Sequence, residues 1–173
     1  AEVLDPNGKP AGEGLRIGPF KVGGATSAQQ PQYAARARLG NDIKLNGYDV
    51  SLKGGALELR LHWQAAGRPQ ADYTVFVQLL GEGKVVAQRD RPPRDGRYPT
   101  SGWDEGEGVA DEHQLALPAT LAPGEYRLIA GLYTPSDVRR LPVSDADGRA
   151  LGDFVDLGLV VVGPGGETAF RPR

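Results

Sequence analysis

The sequence predicts an all-β fold: an antiparallel two-sheet β-sandwich, immunoglobulin-like, of about seven to nine strands. Three observations carry this. Apolar and polar residues alternate with a period of two along several short stretches. The 25 glycines and 14 prolines punctuate those stretches closely, as tight turns between short strands require. No stretch repeats its apolar residues at helical spacing.

The elements follow in order. "YAARARLG", from Tyr33, is the first strand of the domain. "DIKLNGYDVSL", from Asp42, is the second. Its Asn46-Gly47 pair reads as a bulge inside one bent strand, because Ile43, Leu45, Tyr48 and Val50 then share a face after one register break. "GALELRLHWQA" sets Leu57, Leu59, Leu61 and Trp63 on one face and Glu58, Arg60, His62 and Gln64 on the other. Trp63 is expected to be structural. "DYTVFVQLL", Asp72 to Leu80, is apolar at nearly every position and predicts a central strand. Gly81-Glu82-Gly83 turns it into a hairpin with "GKVVAQRD". "VADEHQLALP" gives a weaker strand. "GEYRLIAGLY" sets Tyr126, Leu128, Ala130 and Leu132 on one side. "DFVDLGLVVVG" gives the last strand, and "GPGGE" opens a flexible tail.

Tyr126 has a more specific reading. It follows a Pro-Gly turn and stands two residues before the inward Leu128. In immunoglobulin-like sandwiches a tyrosine at that place bonds back across the corner to the backbone. The tryptophan of such folds lies on the following strand, so Trp63 departs from that pattern.

The chain also repeats itself. Residues 4–24, "LDPNGKPAGEGLRIGPFKVGG", match residues 144–164, "SDADGRALGDFVDLGLVVVGP", at an offset of 140. Asp5 meets Asp145, Gly8 meets Gly148, Gly12 meets Gly152, Gly18 meets Gly158 and Val22 meets Val162. Each copy reads as an Asp/Asn-Gly turn followed by an alternating strand, so a repeat unit is implied. Residues 1–32 are then the terminal strand of a preceding unit plus a linker. Residues 33–163 form the sandwich domain, and 164–173 the tail. A terminal strand without its own domain needs a sheet edge, which makes strand exchange between chains an expectation for residues 15–22. The start at Ala1-Glu2-Val3 suits a processed or excised piece.

Composition excludes several functions. The net charge of −2 leaves no basic footprint for nucleic acid. No apolar run approaches the length of a membrane helix. The absence of cysteine removes thiol chemistry and cysteine-ligated zinc. No Walker loop, dinucleotide fingerprint or Gly-x-Ser-x-Gly elbow occurs. His62 and His113 fall in different strands, without metal-ligand spacing. Asp145, Asp147 and Asp153 fail the calcium-loop register, since with Asp147 at position five Val143 and Phe154 would fall at the first and last ligand positions. No metal, cofactor or catalytic residue is predicted. Asp104, Glu105, Glu107, Asp111 and Glu112 offer paired carboxylates, but their Gly-rich setting predicts a solvated loop. A glycoside hydrolase is the remote alternative they leave.

The candidate ligand site is "RYPTSGWDEG". Tyr98, Trp103 and Asp104 put aromatic faces beside a carboxylate, which suits a sugar ring. The competing expectation is that Trp103 plugs the end of the sandwich and Tyr98 braces the loop.

The phrases "IKLNGYDV", "LELRLHWQA", "DYTVFVQLL", "YPTSGWDEGEGVAD", "LPATLAPGEYRLIAGLY" and "RLPV" occur in this order. On them the chain resembles a bacterial family of extracytoplasmic β-sandwich modules. These form C-terminal regions of multi-spanning membrane proteins similar to dolichyl-phosphate-mannose-type glycosyltransferases, and occur in related envelope proteins. The resemblance implies a non-catalytic accessory or scaffolding module outside the membrane, with a membrane domain upstream. Its partner is expected to be a glycan or another envelope domain. A carbohydrate-binding module using the Tyr98–Trp103 loop is the alternative function.

Overall fold

In a computed structural model of the chain, the structure describes residues 30–173. The first copy of the repeated phrase, and with it the expected strand exchange, lies outside the described residues. The strands are β1 (Tyr33–Leu39), β2 (Ile43–Lys53), β3 (Ala56–Ala65), β4 (Thr74–Gly81), β5 (Lys84–Arg91) and β6 (Gly108–Ala116). They continue with β7 (Gly124–Thr134), β8 (Arg139–Arg140), β9 (Val143–Ser144), β10 (Ala150–Gly152), β11 (Val155–Val162) and β12 (Thr168–Pro172). All pairings are antiparallel. One sheet runs β10-β9-β1-β2-β3-β6, and the other runs β12-β11-β7-β4-β5 with β8 on β7.

The expected sandwich is present, with an immunoglobulin-like frame inside it. Strands β2, β3 and β6 correspond to A, B and E, and β11, β7, β4 and β5 to G, F, C and C′. The strand count exceeds the expectation because short strands extend this frame on one side only. β1, β9 and β10 widen the first sheet beyond β2, and β12 widens the second beyond β11. The opposite side ends at β6 in one sheet and β5 in the other.

Period-two patterning builds the core. Along β3 every second residue is buried, and Leu57, Leu59, Leu61 and Trp63 face inward as their alternation requires. They meet Val75, Val77 and Leu79 of β4 and Leu128, Ala130 and Leu132 of β7 in one continuous core. The bulge falls where predicted. The β2–β3 register shifts between Leu45 and Gly47, leaving Asn46 unpaired. A Cβ at residue 47 would lie 2.3 Å from the Tyr33 carbonyl oxygen and 2.4 Å from Pro31 Cγ. Glycine is therefore required where the entering chain crosses β2. The β4–β5 hairpin closes through Glu82 and Gly83, at φ 50° and 76°, the paired left-handed conformation of a two-residue hairpin turn.

Tyr126 makes the corner its position predicts. Its hydroxyl donates to the Ala122 carbonyl at 2.8 Å, at the start of β7. The second copy of the repeated phrase is split between the sheets. Asp145 turns β9 into β10 by accepting the Asp147 and Arg149 N–H groups at 3.0 and 2.8 Å, and β11 then begins in the other sheet.

The expected flexible tail is instead an edge strand. "GPGGE" is its turn, closed by Gly163 N–H donating to the Glu167 carbonyl at 2.8 Å. β12 pairs with β11 from Val162↔Thr168 to Gly158↔Pro172. Phe170 packs against Tyr33 and Tyr48, with ring centroids 5.8 and 6.3 Å apart. A single aromatic anchor supplies the apolar contact that makes this strand worth ordering.

Candidate functional site

The loop from β5 to β6 was expected to carry the ligand site. It crosses from one sheet to the other through a left-handed turn at Pro93–Gly96 and a short 3-10 turn at Thr100–Gly102. Trp103 is 0% exposed and belongs to the core. Its indole N–H donates to the Tyr98 carbonyl at 3.3 Å. The indole therefore presents no face to a sugar, and the expectation that Trp103 stacks on a ligand is corrected: it plugs the sandwich end. A tryptophan in a Pro/Gly-rich loop has the same local sequence in either role, and only the core it enters decides between them.

The rest of the loop braces that plug. Thr100, also 0% exposed, donates to the Ala71 carbonyl at 2.7 Å and accepts the Tyr73 N–H at 2.9 Å. The half-buried Tyr98 donates to Glu107 Oε1 at 2.5 Å. Asp104 pairs with Arg68 at 2.8 Å, and its N–H donates to Glu107 Oε2 at 2.9 Å. Tyr98, Trp103 and Asp104 thus lie in one loop but do not converge on a ligand. Trp63 is structural in position, 1% exposed. Its Nε1 is a buried polar atom without a hydrogen-bond partner among the described residues.

A different polar group lies inside the open side of the sandwich. β6 alternates exposed and buried residues, and Val109, Asp111, His113 and Leu115 take the buried positions. Asp111 is 0% exposed and His113 3%. The Asp111 carboxylate accepts the Arg94 N–H at 2.7 Å, and its Oδ2 lies 2.7 Å from His113 Nε2. Arg91 Nε donates to His113 Nδ1 at 3.4 Å. A guanidinium has no acceptor, so Nδ1 must accept and Nε2 carries the proton toward Asp111. The Arg91 guanidinium, 4.0 Å from Asp111, also pairs with Asp95. This contact holds the Asp95 carboxyl below its ordinary pKa.

The solvated loop expected of the acidic run does not extend to Asp111, which the β6 alternation turns inward. The signal was present: counting inward positions from Val109 by twos reaches Asp111 and His113 before Leu115.

Register explains why arginines meet this pair. In the β4–β5 ladder Val75 faces Arg91, Val77 faces Arg89 and Leu79 faces Ala87. Arg89 and Arg91 therefore stand on the inner face of their sheet, level with core positions. The first sheet ends at β6, so β5 overhangs it. A guanidinium fits there because the overhang is wet and Asp111 supplies charge from behind.

The overhang forms a groove of about 920 Å³. Its floor passes His113, and one wall carries Arg89, Arg91, Arg94 and Arg97. The other wall rounds the β6 edge onto the outer face of the first sheet, with Arg60, Glu112, Gln114, Ser51 and Glu58. Arg60 pairs with Glu112 at 2.6 Å. Glu58 accepts from Ser51 at 3.0 Å and pairs with Lys53 at 3.2 Å. His62, on that outer face, lies 2.9 Å from Asp49. Burial works to raise the Asp49 carboxyl, but the Gln32 N–H and the His62 ring outweigh it and hold the group below its ordinary pKa. Among the described residues, no group of three or more His, Cys, Asp or Glu side chains is arranged to hold a metal ion.

No family model matches the chain, and no curated protein sequence matches it. Among solved structures, it is similar to chicken MD-1 in a crystal structure with lipid IVa. The match has 13% identity and a TM-score of 0.33, and covers 66% of this chain and 89% of that one. A likeness at that score carries no argument about function.

Proposed function

We propose that this chain is a non-catalytic β-sandwich module of a larger extracytoplasmic envelope protein, where it scaffolds or presents neighbouring domains. One observation carries the proposal: the side chains with most chemical potential are spent on holding the frame. Asp111 and His113 satisfy each other and the Arg94 backbone inside the sandwich, and Trp103 closes its end. The sequence resemblance to extracytoplasmic modules supports the same role, because most of its phrases fall on frame strands β2, β3, β4 and β7. An upstream membrane domain belongs to this proposal.

The test is topological. Alkaline phosphatase and a fluorescent protein that matures only in the cytoplasm are fused, separately, after Arg173 of the protein as its gene encodes it. Active phosphatase with a dark fluorescent fusion is expected. The reverse pattern overturns the proposed location.

A further inference from the structure

We propose that the groove between β5 and β6 is a binding site for an acidic oligosaccharide, a chain of sugar rings bearing carboxylates at intervals. The proposal goes beyond the module's role and does not depend on where the parent protein resides.

Backbone strain marks the site first. Arg94, Asp95 and Gly96 are consecutive left-handed residues, at φ 51°, 57° and 77°. Side-chain-bearing residues adopt this conformation at a cost, and a run of two persists only where its surroundings enforce it. The enforcement is visible: buried Asp111 accepts the Arg94 N–H, and Arg91 grips Asp95. Glycine would hold this conformation without that cost, so the Arg94-Asp95 pair is kept there by its partners and not by its own backbone preference. The run holds the Arg94 side chain at the groove, and Arg97 follows directly after it in ordinary right-handed backbone.

The guanidinium groups are the second observation. Arg91 is consumed by Asp95 and His113. Among the described residues the Arg89 and Arg94 side chains make no hydrogen bond and no ion pair within 4.0 Å, although the Arg89 charge acts on Asp95 from further away. The other arginine cluster, around β12, behaves differently: Arg127 and Arg173 pair with Asp156, and Arg171 pairs with Glu125. Unpaired guanidinium groups on a preformed wall favour a carboxylate or phosphate.

The opposite wall selects between anions. Its Glu112 and Glu58 are already paired with Arg60 and Lys53, so it adds no net positive charge for a densely charged chain such as nucleic acid, polyphosphate or an anionic bilayer. It also offers Gln114 and Ser51, which suit hydroxyl groups. A ligand with sparse charge and many hydroxyls fits both walls.

The experiment titrates tetragalacturonate into the 15N-labelled protein, with its methyl ester, tripolyphosphate and anionic vesicles as parallel probes. Saturable amide shifts along residues 89–97 and 110–114 are expected with tetragalacturonate, and none with the neutral ester. Arg94→Gly removes a guanidinium while suiting the left-handed backbone, so it keeps or raises the melting temperature. Binding nevertheless weakens about tenfold, and Arg89→Ala/Arg94→Gly abolishes it. Arg171→Ala leaves binding unchanged. No shift up to about 10 mM, equal binding of the ester, unchanged affinity in the double variant, or preference for tripolyphosphate or vesicles each overturns the proposal. Failure here leaves the topological test of the module untouched.

Discussion

Asp111 decides more than any other single residue, because it is a carboxylate with 0% exposure whose partners come from three places in the chain. Removing one member of a buried charged group strands the others. Asp111→Ala is expected to cost about 3 kcal/mol in urea unfolding, whereas Asp104→Ala, which breaks an exposed pair, costs at most about 1 kcal/mol. Equal effects would contradict the assigned geometry. Both sit in one Gly-rich acidic run, and locally only the period-two count from Val109 sets Asp111 on the inward face. What else separates them is a partner strand some twenty residues upstream, in the other sheet. Tyr48 makes a second residue-scale case. It is 1% exposed, and its hydroxyl donates to the Leu157 carbonyl, tying β2 to β11. Burial pushes its phenol from the ordinary 10 up to about 12. The unfolded chain then releases this proton before the folded one does. Stability from this source is complete below about pH 10 and is lost as pH rises toward about 12. Tyrosinate absorbance should show a group titrating at about 12 that is absent in Tyr48→Phe, while Tyr133, which burial also raises, remains in the variant. The variant should also lose less stability across that interval. A wild-type titration without that group rules this out.

At the scale of elements, alternation was legible and closure was not. The β3 and β7 patterns, the Asn46 bulge and the Tyr126 corner each follow from spacing within a few residues, so the sequence contains them whole. β12 does not, because its turn and its five residues resemble a terminal tail until Phe170 reaches Tyr33 and Tyr48 in space. The β5–β6 loop failed in the same way: it was correctly placed, but the direction of Trp103 depends on a core assembled from both sheets. The β12 contact is testable. Phe170→Ala is expected to cost about 2 kcal/mol, with protease cleavage appearing within 164–173. Phe170→Leu should recover about half of that, because part of the apolar contact remains. A Phe170→Ala protein as stable and as protease-resistant as the parent would return those residues to the status of a tail.

On the scale of the molecule, the asymmetry between the two sides of the sandwich matters most. One side is thickened by β1, β9, β10 and β12 and sealed by the Tyr33, Tyr48 and Phe170 rings. The other side is left at β5 and β6, where β5 is largely exposed and Val85 is 47% exposed. Edge strands with uncovered backbone invite pairing with other chains, and charged residues discourage it. The Lys84, Arg89, Asp90 and Arg91 positions of β5 fit that role, and they leave its backbone hydrated. Amide exchange reads this directly, because protection follows the opening free energy of each element. Amides of β3 and β7, paired on both sides, should exchange only with global unfolding. β5 and β10 should exchange by local opening, orders of magnitude faster. β12 should fall between them, since it is an edge anchored by one aromatic ring. Adding tetragalacturonate should slow exchange along β5 and the 93–97 turn and leave β12 unchanged. If β5 in the free protein is as protected as β3, the overhang is covered rather than open, and both the edge argument and the groove argument fall together.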